Sequence, residues 1–462
     1  MNNKNNTFFV FIFIFSVSIV SSVKSQELLT LEDVIKMTVE NNFDVEIAKN
    51  NVQVAKNNNN IGLVGGGQST GGTVSGGTTG MLPQISIAAG SPSSPLGIGS
   101  TTSTIRYDPN SSITPVDGQT INSQSYAPSI VATWYFFDGL KMFATKKKLN
   151  RAEDLSNLQY RSTVETTLLT ALTTYYQMIS IEQYIKSLKT SLVLGEEQKK
   201  LAEEKLKSGV GSKVDVLQTQ IDYNNILVQI AQQENLLSEQ RVNLNVLLKR
   251  TEDTQFNVPD TIIIQTTPEY ESALSNTDKN NSSILMGRKT LEIDNLALKE
   301  YKANMYPKIG ATGNYTYQYT SNSLGSQRLN KNFGYNAGFI FSWTILNNLT
   351  TQTAIKNQRM QLASDELRLQ ASELQERSNL YKAYLGFQNN LKIVEIEKES
   401  VKLADQSLFI AAQRFKQGLS NYIEYRTVKL NYENAQYQLS QAAYNTKLSE
   451  LNFLRAQGLL VH

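Results

Sequence analysis

Two acidic residues, Asp215 and Glu424, lie in turns of similar sequence that are offset by 209 residues. Each acid follows a good helix N-cap residue by three positions, Ser212 in the first turn and Asn421 in the second. A carboxylate at that spacing can accept a hydrogen bond from the N-cap amide and so complete a capping box. Capping is therefore a sufficient explanation for both acids, and their spacing alone indicates no catalytic chemistry.

No other set of reactive residues suggests an enzyme. The sequence contains no cysteine, which excludes disulfides, thiolate metal sites and a lipidated N-terminal cysteine. Its single histidine is the last residue, His462, so sites built on histidine are nearly excluded. The net charge of +3 shows no nucleic-acid footprint, and there is no P-loop sequence. We therefore predict no catalytic residue, no metal, no cofactor and no nucleic-acid partner.

The turns that carry these acids separate long helical segments. Gly209 and Gly418 suit the left-handed position that ends a helix, and Gly211 belongs to the same first turn. Helices are predicted over residues 140–207 and 349–416, each ~100 Å long at ~1.5 Å per residue. Return helices end near residues 249 and 457. An earlier helix is predicted over residues 29–60, with Thr30 among its start signals.

The offset of 209 residues relates most of the two halves of the chain. Trp134 and Trp343, the only tryptophans, share this separation, as do Tyr223 and Tyr432. We predict two structural repeats, 26–257 and 258–462, each with a helix, a strand pair and a long helix hairpin. Only the first contains the glycine-rich stretch 65–80, which its composition predicts to be a flexible insert.

The N-terminus has the pattern of a signal peptide. Lys4 precedes an apolar run from Phe8 to Val20, which is too short to span a bilayer comfortably. We predict that residues 1–25 are the signal peptide, with cleavage before Gln26. The alternative is a buried N-terminal strand. An exported mature protein follows from the signal-peptide interpretation.

Four segments alternate in polarity with the period of a β-strand, at residues 85–89, 129–136, 309–320 and 333–345, and a Ser/Pro/Gly-rich loop is predicted over 91–125. One face of each strand is apolar and the other is small and polar. Membrane barrel strands have this pattern, although soluble half-buried strands alternate too. Exported context, strand length and aromatic content favour a lipid-facing surface. The aromatic residues assigned to it are Trp134, Phe136, Tyr315, Tyr317, Phe339, Phe341 and Trp343.

Four transmembrane strands cannot close a barrel by themselves, because the smallest bacterial barrels have about eight. An open sheet in lipid would also leave unpaired backbone groups at its edges. The chain is therefore predicted to oligomerise. Two copies would supply eight strands and three copies would supply twelve.

Each return helix carries two apolar tracks of residues spaced by seven. The helix after the first turn has one track through Val214, Ile221 and Val228, and a second through Tyr223, Ile230 and Leu237. Residues two apart lie ~200° apart around a helix, so both flanks are apolar. A helix in a closed cylinder has a neighbour on each side and needs two such flanks. An ordinary bundle helix with a wide buried face is the alternative.

Several short motifs, taken with their order and the duplication, resemble the TolC family of outer-membrane efflux and secretion proteins over essentially the whole mature chain. The motifs are LTLEDV at 29–34 with Asn41-Asn42 beyond it, LPQI at 82–85 with YPKI at 306–309, WYFFDG at 134–139 and GVGSKVDVL at 209–217.

The resemblance implies a homotrimer in the outer membrane, in which three chains share a twelve-stranded β-barrel continued by a long periplasmic α-helical barrel. It also implies that both turns lie at the far tip, where a periplasmic adaptor protein and an inner-membrane transporter dock. Glu424 matches one acidic position of the family's tip, whereas the second position holds Thr427 here.

The sequence therefore predicts a passive channel-tunnel for small-molecule efflux or type I protein secretion, without separating drug, metal and protein substrates. The main alternative is a secreted or surface-attached coiled-coil protein with a structural or adhesive role. The strands discriminate between the two, because a fibre has no need of four segments with an aromatic face.

Overall fold

The computed structural model describes residues 27–61, 81–88, 123–265, 267, 269–322 and 329–460. The predicted signal peptide, most of the 91–125 loop and the glycine-rich insert at 65–80 lie outside these residues. The elements in chain order are β1 (Glu27–Leu28), α1 (Leu31–Asn41), α2 (Phe43–Ile61), β2 (Gln84–Ala88), β3 (Ser123–Tyr126), β4 (Ser129–Phe137), α3 (Lys141–Lys207), α4 (Lys213–Leu247), β5 (Phe256–Asn257), α5 (Tyr270–Asn280), α6 (Ser282–Ala303), β6 (Lys308–Asn322), β7 (Leu329–Ser342), α7 (Thr350–Lys416) and α8 (Tyr422–Ala456).

The four predicted strand segments form one antiparallel sheet. β2 pairs with β4, β4 with β6, and β6 with β7. The short strand β3 also pairs with β6, so β3 and β4 lie end to end beside it. The loop predicted over 91–125 therefore ends too late, because β6 continues to Asn322 and its last residues pair with Ser123–Tyr126. Pro128 lies in the break between β3 and β4, and its carbonyl still accepts a hydrogen bond from the Tyr317 amide of β6 at 2.9 Å.

The last predicted strand is also shorter than its sequence pattern. β7 ends at Ser342, whose partner Lys308 is the first residue of β6. Beyond that pair β7 has no neighbouring strand, so Trp343 and Ile345 lie outside it. The Trp343 indole instead donates a hydrogen bond to the Met305 carbonyl at 3.2 Å.

The prediction of a single helix over residues 29–60 is wrong, because the structure has two helices there, separated at Asn42. The backbone of Asn42 is extended (φ −61°, ψ 137°), and its side-chain oxygen accepts from the Asp44 amide at 2.9 Å to start α2. Its amide group also donates to the Leu247 carbonyl at the end of α4. Asn281 divides α5 from α6 in the same way and donates to the Ala456 carbonyl at 3.1 Å.

The long helices form two hairpins. α3 and α7 have 67 residues each, and α4 and α8 have 35 each, close to the predicted bounds. α4 packs on α3, α8 packs on α7, and α8 also packs on α3. Nearer the sheet, the neighbours are α2 with α3, α3 with α6, and α6 with α7. The helices α2, α3, α6 and α7 therefore lie in the same order as the strands β2, β4, β6 and β7, and each strand has the helix connected to it below.

The largest apolar core lies midway along the hairpins. There α1, α3, α4 and the segment after α4 bury Leu29, Tyr175, Leu244 and Phe256 almost completely. The Tyr175 hydroxyl donates to the Leu29 carbonyl at 3.1 Å, and β1 pairs with β5 in parallel. A second core joins α5, α7 and α8 at Phe387 and Phe453. Among the described residues, no helix combines the length and apolar character needed to cross a bilayer.

Candidate functional site

The first turn, between α3 and α4, has the geometry that its glycines predict. Gly209 has φ +79°, and its amide donates to the Leu206 carbonyl at 3.1 Å. The Gly211 amide donates to the Lys205 carbonyl at 2.9 Å, which brings the turn back against the end of α3. A side chain at Gly211 would meet backbone atoms at 2.7 and 2.8 Å, so this position requires glycine for close approach rather than for its φ.

The second turn, between α7 and α8, is built in a similar way. Gly418 has φ +76°, and its amide donates to the Phe415 carbonyl at 3.2 Å. Asn421 caps α8 by accepting from the Glu424 amide at 2.9 Å, and Ser212 caps α4 by accepting from the Val214 amide.

The capping boxes predicted for the two acids do not form. The Ser212 hydroxyl accepts its hydrogen bond from the amide of Val214, the residue before Asp215. The Glu424 carboxylate points toward Arg414 at the end of α7, with which it makes an exposed ion pair at 3.1 Å. The Glu424 carboxylate is therefore used in an ion pair across its turn and not in a capping box.

The two turns are connected by a polar cluster centred on Asp222 of α4. One oxygen of Asp222 accepts from the Tyr422 hydroxyl at 2.9 Å and from the Arg426 guanidinium at 2.7 Å, and both donors lie on α8. Burial, followed by the hydrogen bond to Asp222, raises the pKa of Tyr422. The tyrosine therefore remains a neutral donor in any physiological range of pH.

An aromatic cluster lies beside this link. Phe415 stacks on Tyr425 with ring centres 5.5 Å apart, and Tyr422 packs against both rings. The Lys205 ammonium lies 3.9 Å from the Phe415 ring centre and donates to the Phe415 carbonyl at 2.8 Å. Burial raises the pKa of Tyr425 to about 12. The ends of all four long helices are held together by these contacts.

Sequence reasoning missed the residues that join the turns. Asp222 lies between the apolar tracks of α4, one heptad after Asp215, and nothing in its neighbourhood identifies a partner on α8. Tyr422 and Arg426 have a spacing of four, which places them on one helix face, and this was the only signal available. Phe415 reads as an ordinary apolar position of α7.

The sheet has one apolar and one polar face, as predicted. Ala311 of β6 pairs with Trp134 of β4 along one edge and with Phe339 of β7 along the other. The three side chains therefore share a face of the sheet. Tyr315 faces Ile130 and Tyr335 on that same surface. Six of the seven predicted aromatics lie in the strands, and Trp343 follows directly after β7. The exposed side chains of this aromatic face include Ile85, Ile87, Ile130, Trp134, Phe136, Tyr315, Phe333, Tyr335, Phe339 and Phe341.

The two apolar tracks of α4 have different surroundings. Ile230, Leu237 and Leu244 of one track are buried against α3. The other track has no neighbouring helix among the described residues, and its apolar side chains remain 42–70% exposed. We call this track the α4 stripe, and its residues are Val214, Ile221, Val228 and Val242.

The outer side of α7 carries a second exposed stripe. Ile396, Leu403 and Ile410 are spaced by seven residues and are 57–63% exposed. We call these three residues the α7 stripe. α8 differs from α4 in having a helix on each side, since it packs on both α3 and α7; Tyr437 of α8 contacts Tyr184 of α3 with ring centres 4.8 Å apart. The two stripes therefore mark the two lateral edges of the chain.

Nothing in the described part of the chain resembles a metal centre, because no three His, Cys, Asp or Glu side chains are grouped closely enough to hold an ion. The geometry consists instead of a sheet with one aromatic face, helices about 100 Å long and paired turns at their far end.

This fold is that of the outer-membrane channels. The chain superimposes on the outer membrane protein VceC of Vibrio cholerae with a TM-score of 0.71 and 14% identity, covering 93% of this chain and 96% of VceC. It superimposes on the CmeC outer membrane channel of Campylobacter jejuni with a TM-score of 0.74 and 13% identity, covering 93% of this chain and 86% of CmeC.

Sequence comparison identifies the family. The model of the family described as "Outer membrane efflux protein" matches residues 77–248 and 273–459, and the chain belongs to this family of channel-forming proteins. Outer membrane protein TolC of Escherichia coli K12 is 20% identical over 357 residues, which cover 74% of this chain and 71% of TolC. The protein accordingly lies in the outer membrane, and its helices form a large periplasmic part.

Proposed function

We propose that three copies of this chain form a passive conduit through the outer membrane, and that it has no enzymatic activity. The observation that carries this proposal is the pair of unpartnered apolar stripes on α4 and α7. A closed ring of helices is formed if the α4 stripe of one copy packs on the α7 stripe of the next. Every long helix then has a neighbour on both sides.

The sheet supports the same assembly. Its outermost strands, β2 and β7, have no partner on their outer edges within the described residues. In lipid such edges would leave backbone groups without hydrogen bonds at a cost of several kcal/mol each. Pairing β7 of one copy with β2 of the next closes the sheet, and three copies give a barrel of twelve strands. The aromatic face, which includes the seven predicted residues from Trp134 to Trp343, is then the surface that contacts outer-membrane lipid.

We further propose that the chain is built from two repeats, residues 26–257 and 258–462, after a signal peptide at 1–25. The supporting observation is that α7 and α8 begin and end 209 residues after α3 and α4. The breaks at Asn42 and Asn281 and their bonds to the ends of α4 and α8 support it as well.

The turns are proposed as the docking surface for a periplasmic adaptor and an inner-membrane transporter, which supplies the energy. α3 and α7 carry the turns about 100 Å from the sheet. Val210 and Leu419 at the ends of the turns are 79% and 67% exposed, and such apolar tips favour contact with another protein. The docking residues are proposed to be Gly209, Gly211, Ser212, Asp215, Gly418, Asn421 and Glu424.

The assembly is tested by cross-linking, for which the absence of native cysteine is convenient. Ile221 and Ile410 lie on the two stripes at similar distances from their turns, roughly 13 Å at ~1.5 Å per residue. The double variant Ile221→Cys with Ile410→Cys should form disulfides between copies on oxidation. Denaturing gels of outer-membrane fractions should then show covalent dimers and closed trimers.

The matched control combines Ile221→Cys with Val193→Cys, because Val193 is equally exposed but lies on α3, away from both stripes. This pair should remain monomeric on the gel. Covalent dimers without trimers, or equal cross-linking in the control, would contradict the proposed ring. Ion conductance of the purified trimer in planar bilayers tests the conduit itself, and an electrically silent trimer would refute that part.

A further inference from the structure

A groove between α3 and α6 opens directly below the sheet. α3 begins four residues after the end of β4, and α6 ends five residues before β6, and these two strands are neighbours. Two cavities of about 320 and 450 Å³ follow the groove and share Lys147, Leu296 and Lys299 in their linings. The groove therefore lies where the outer-membrane sheet meets the periplasmic helices.

The end of the groove nearest the sheet is apolar and rigid. Its side chains Leu140, Phe143 and Tyr306, which we call the apolar wall, are each at least half exposed. The Asp138 carboxylate accepts from the Met142 amide at 3.0 Å and fixes the start of α3. A side chain at Gly139 would meet the Ala303 carbonyl oxygen, so the turn before α3 lies in close contact with the end of α6.

The cavity nearer the sheet has a basic end, opposite the apolar wall. Its lining contains Lys147, Lys299 and Lys302, which we call the basic rim, and no carboxylate. None of these lysines has an acidic partner within 4 Å among the described residues. Neighbouring cations of the same helices are paired, Lys148 with Glu300 at 2.5 Å and Arg151 with Glu292 at 2.8 Å.

The helix directions bring the basic rim together. Side chains on a helix tilt toward its N-terminus, which lies at the sheet for α3 and away from it for α6. Lys147 is therefore inclined toward the membrane, and Lys299 and Lys302 are inclined away from it. Lys147 lies ~9 Å beyond the start of α3, close to the ~5–8 Å depth of a headgroup layer.

An apolar wall beside the bilayer with unpaired lysines just beyond it matches the polarity of a phospholipid in the periplasmic leaflet. We propose that each chain binds one anionic phospholipid in this groove. The acyl chains lie along the apolar wall and the phosphate lies among the lysines of the basic rim. Such a lipid would neutralise charges that the protein leaves unpaired and would fill the groove between α3 and α6 at the membrane boundary.

The test measures lipid binding to the purified full chain in detergent by native mass spectrometry. Dioleoyl-phosphatidylglycerol should be retained at one molecule per chain, and dioleoyl-phosphatidylcholine should be retained poorly. A lysine near an anionic lipid contributes about fivefold in affinity, the equivalent of ~1 kcal/mol. The triple variant K147Q/K299Q/K302Q should thus bind phosphatidylglycerol about a hundredfold more weakly.

The control triple variant is K49Q/K279Q/K392Q, which removes three exposed lysines that have no acidic partner in the described part of the chain and lie further from the sheet. It should bind phosphatidylglycerol as the native protein does. Phe143→Ser should weaken the binding of the lipid without changing the net charge. Equal loss in both triple variants, equal retention of phosphatidylcholine, or complete displacement of the lipid by inorganic phosphate would each overturn the proposal.

Discussion

Gly211 is expected to be the most sensitive residue of the first turn. In Gly211→Ala the new methyl group would lie 2.7 Å from the Leu206 nitrogen and 2.8 Å from the Lys205 carbonyl carbon, so the backbone must move. Overpacking of this kind costs ~1–3 kcal/mol. Loss of the Gly211 amide bond to Lys205 adds ~1 kcal/mol. In Gly209→Ala the methyl group meets nothing within 4 Å, and only the φ of +79° costs ~1–2 kcal/mol.

Hydrogen exchange at the tip of the α3–α4 hairpin measures this difference. Gly211→Ala should accelerate exchange over residues 205–216 more than Gly209→Ala, while the unfolding midpoint hardly changes, because the turn opens locally. Ser420 provides the matched control, since it is the position equivalent to Gly211 and already carries a Cβ. Its hydroxyl oxygen is buried without a hydrogen-bond partner in the described structure, so Ser420→Ala should be neutral or slightly stabilising. Native-like exchange in Gly211→Ala would refute the close-approach argument.

Three further changes have defined outcomes. Asp222→Asn should weaken the link to Tyr422 and Arg426 by on the order of 1–2 kcal/mol and raise exchange over residues 422–426; unchanged exchange would contradict the link. Burial and the neighbouring Asp365 raise the pKa of Asp294 to about 6, so this group's contribution to stability falls as pH rises from 3.8 to about 6. Asp294→Asn should therefore raise the free energy of unfolding at pH 8 by on the order of 1 kcal/mol, but not at pH 4; an equal rise at both pH values would refute this. Glu424→Gln breaks only an exposed pair with Arg414 and should change stability by less than ~1 kcal/mol, whereas conductance in bilayers should become less cation-selective; loss of assembly would contradict this.

Much of the local structure could be predicted from sequence, because local features determine it. The left-handed glycines 209 and 418 end helices for a steric reason that no distant contact changes. The period of the strands and of the long helices follows from the side chains that must share a face. The break at Asn42 was not predicted. One of its contacts is local, the bond from the Asp44 amide, but the other joins Asn42 to Leu247, 205 residues away.

The capping prediction for Asp215 and Glu424 shows what local sequence patterns could not predict at the turns. The sequence places both acids at capping-box spacing, but Glu424 contacts Arg414 once α7 and α8 are antiparallel. Likewise, the sequence marks both flanks of α4 as apolar without identifying which flank is covered.

The sequence alone determined the long helices, the turns between them and which strand residues share a face, because these depend on backbone sterics and on side-chain period. The tertiary structure decided which faces stay uncovered and which polar groups meet. It left the α4 and α7 stripes at the two edges of the chain, joined the turns through Asp222 and gathered three lysines below the sheet. These features depend on contacts between residues that are far apart in the chain, and a local pattern contains no information about such contacts.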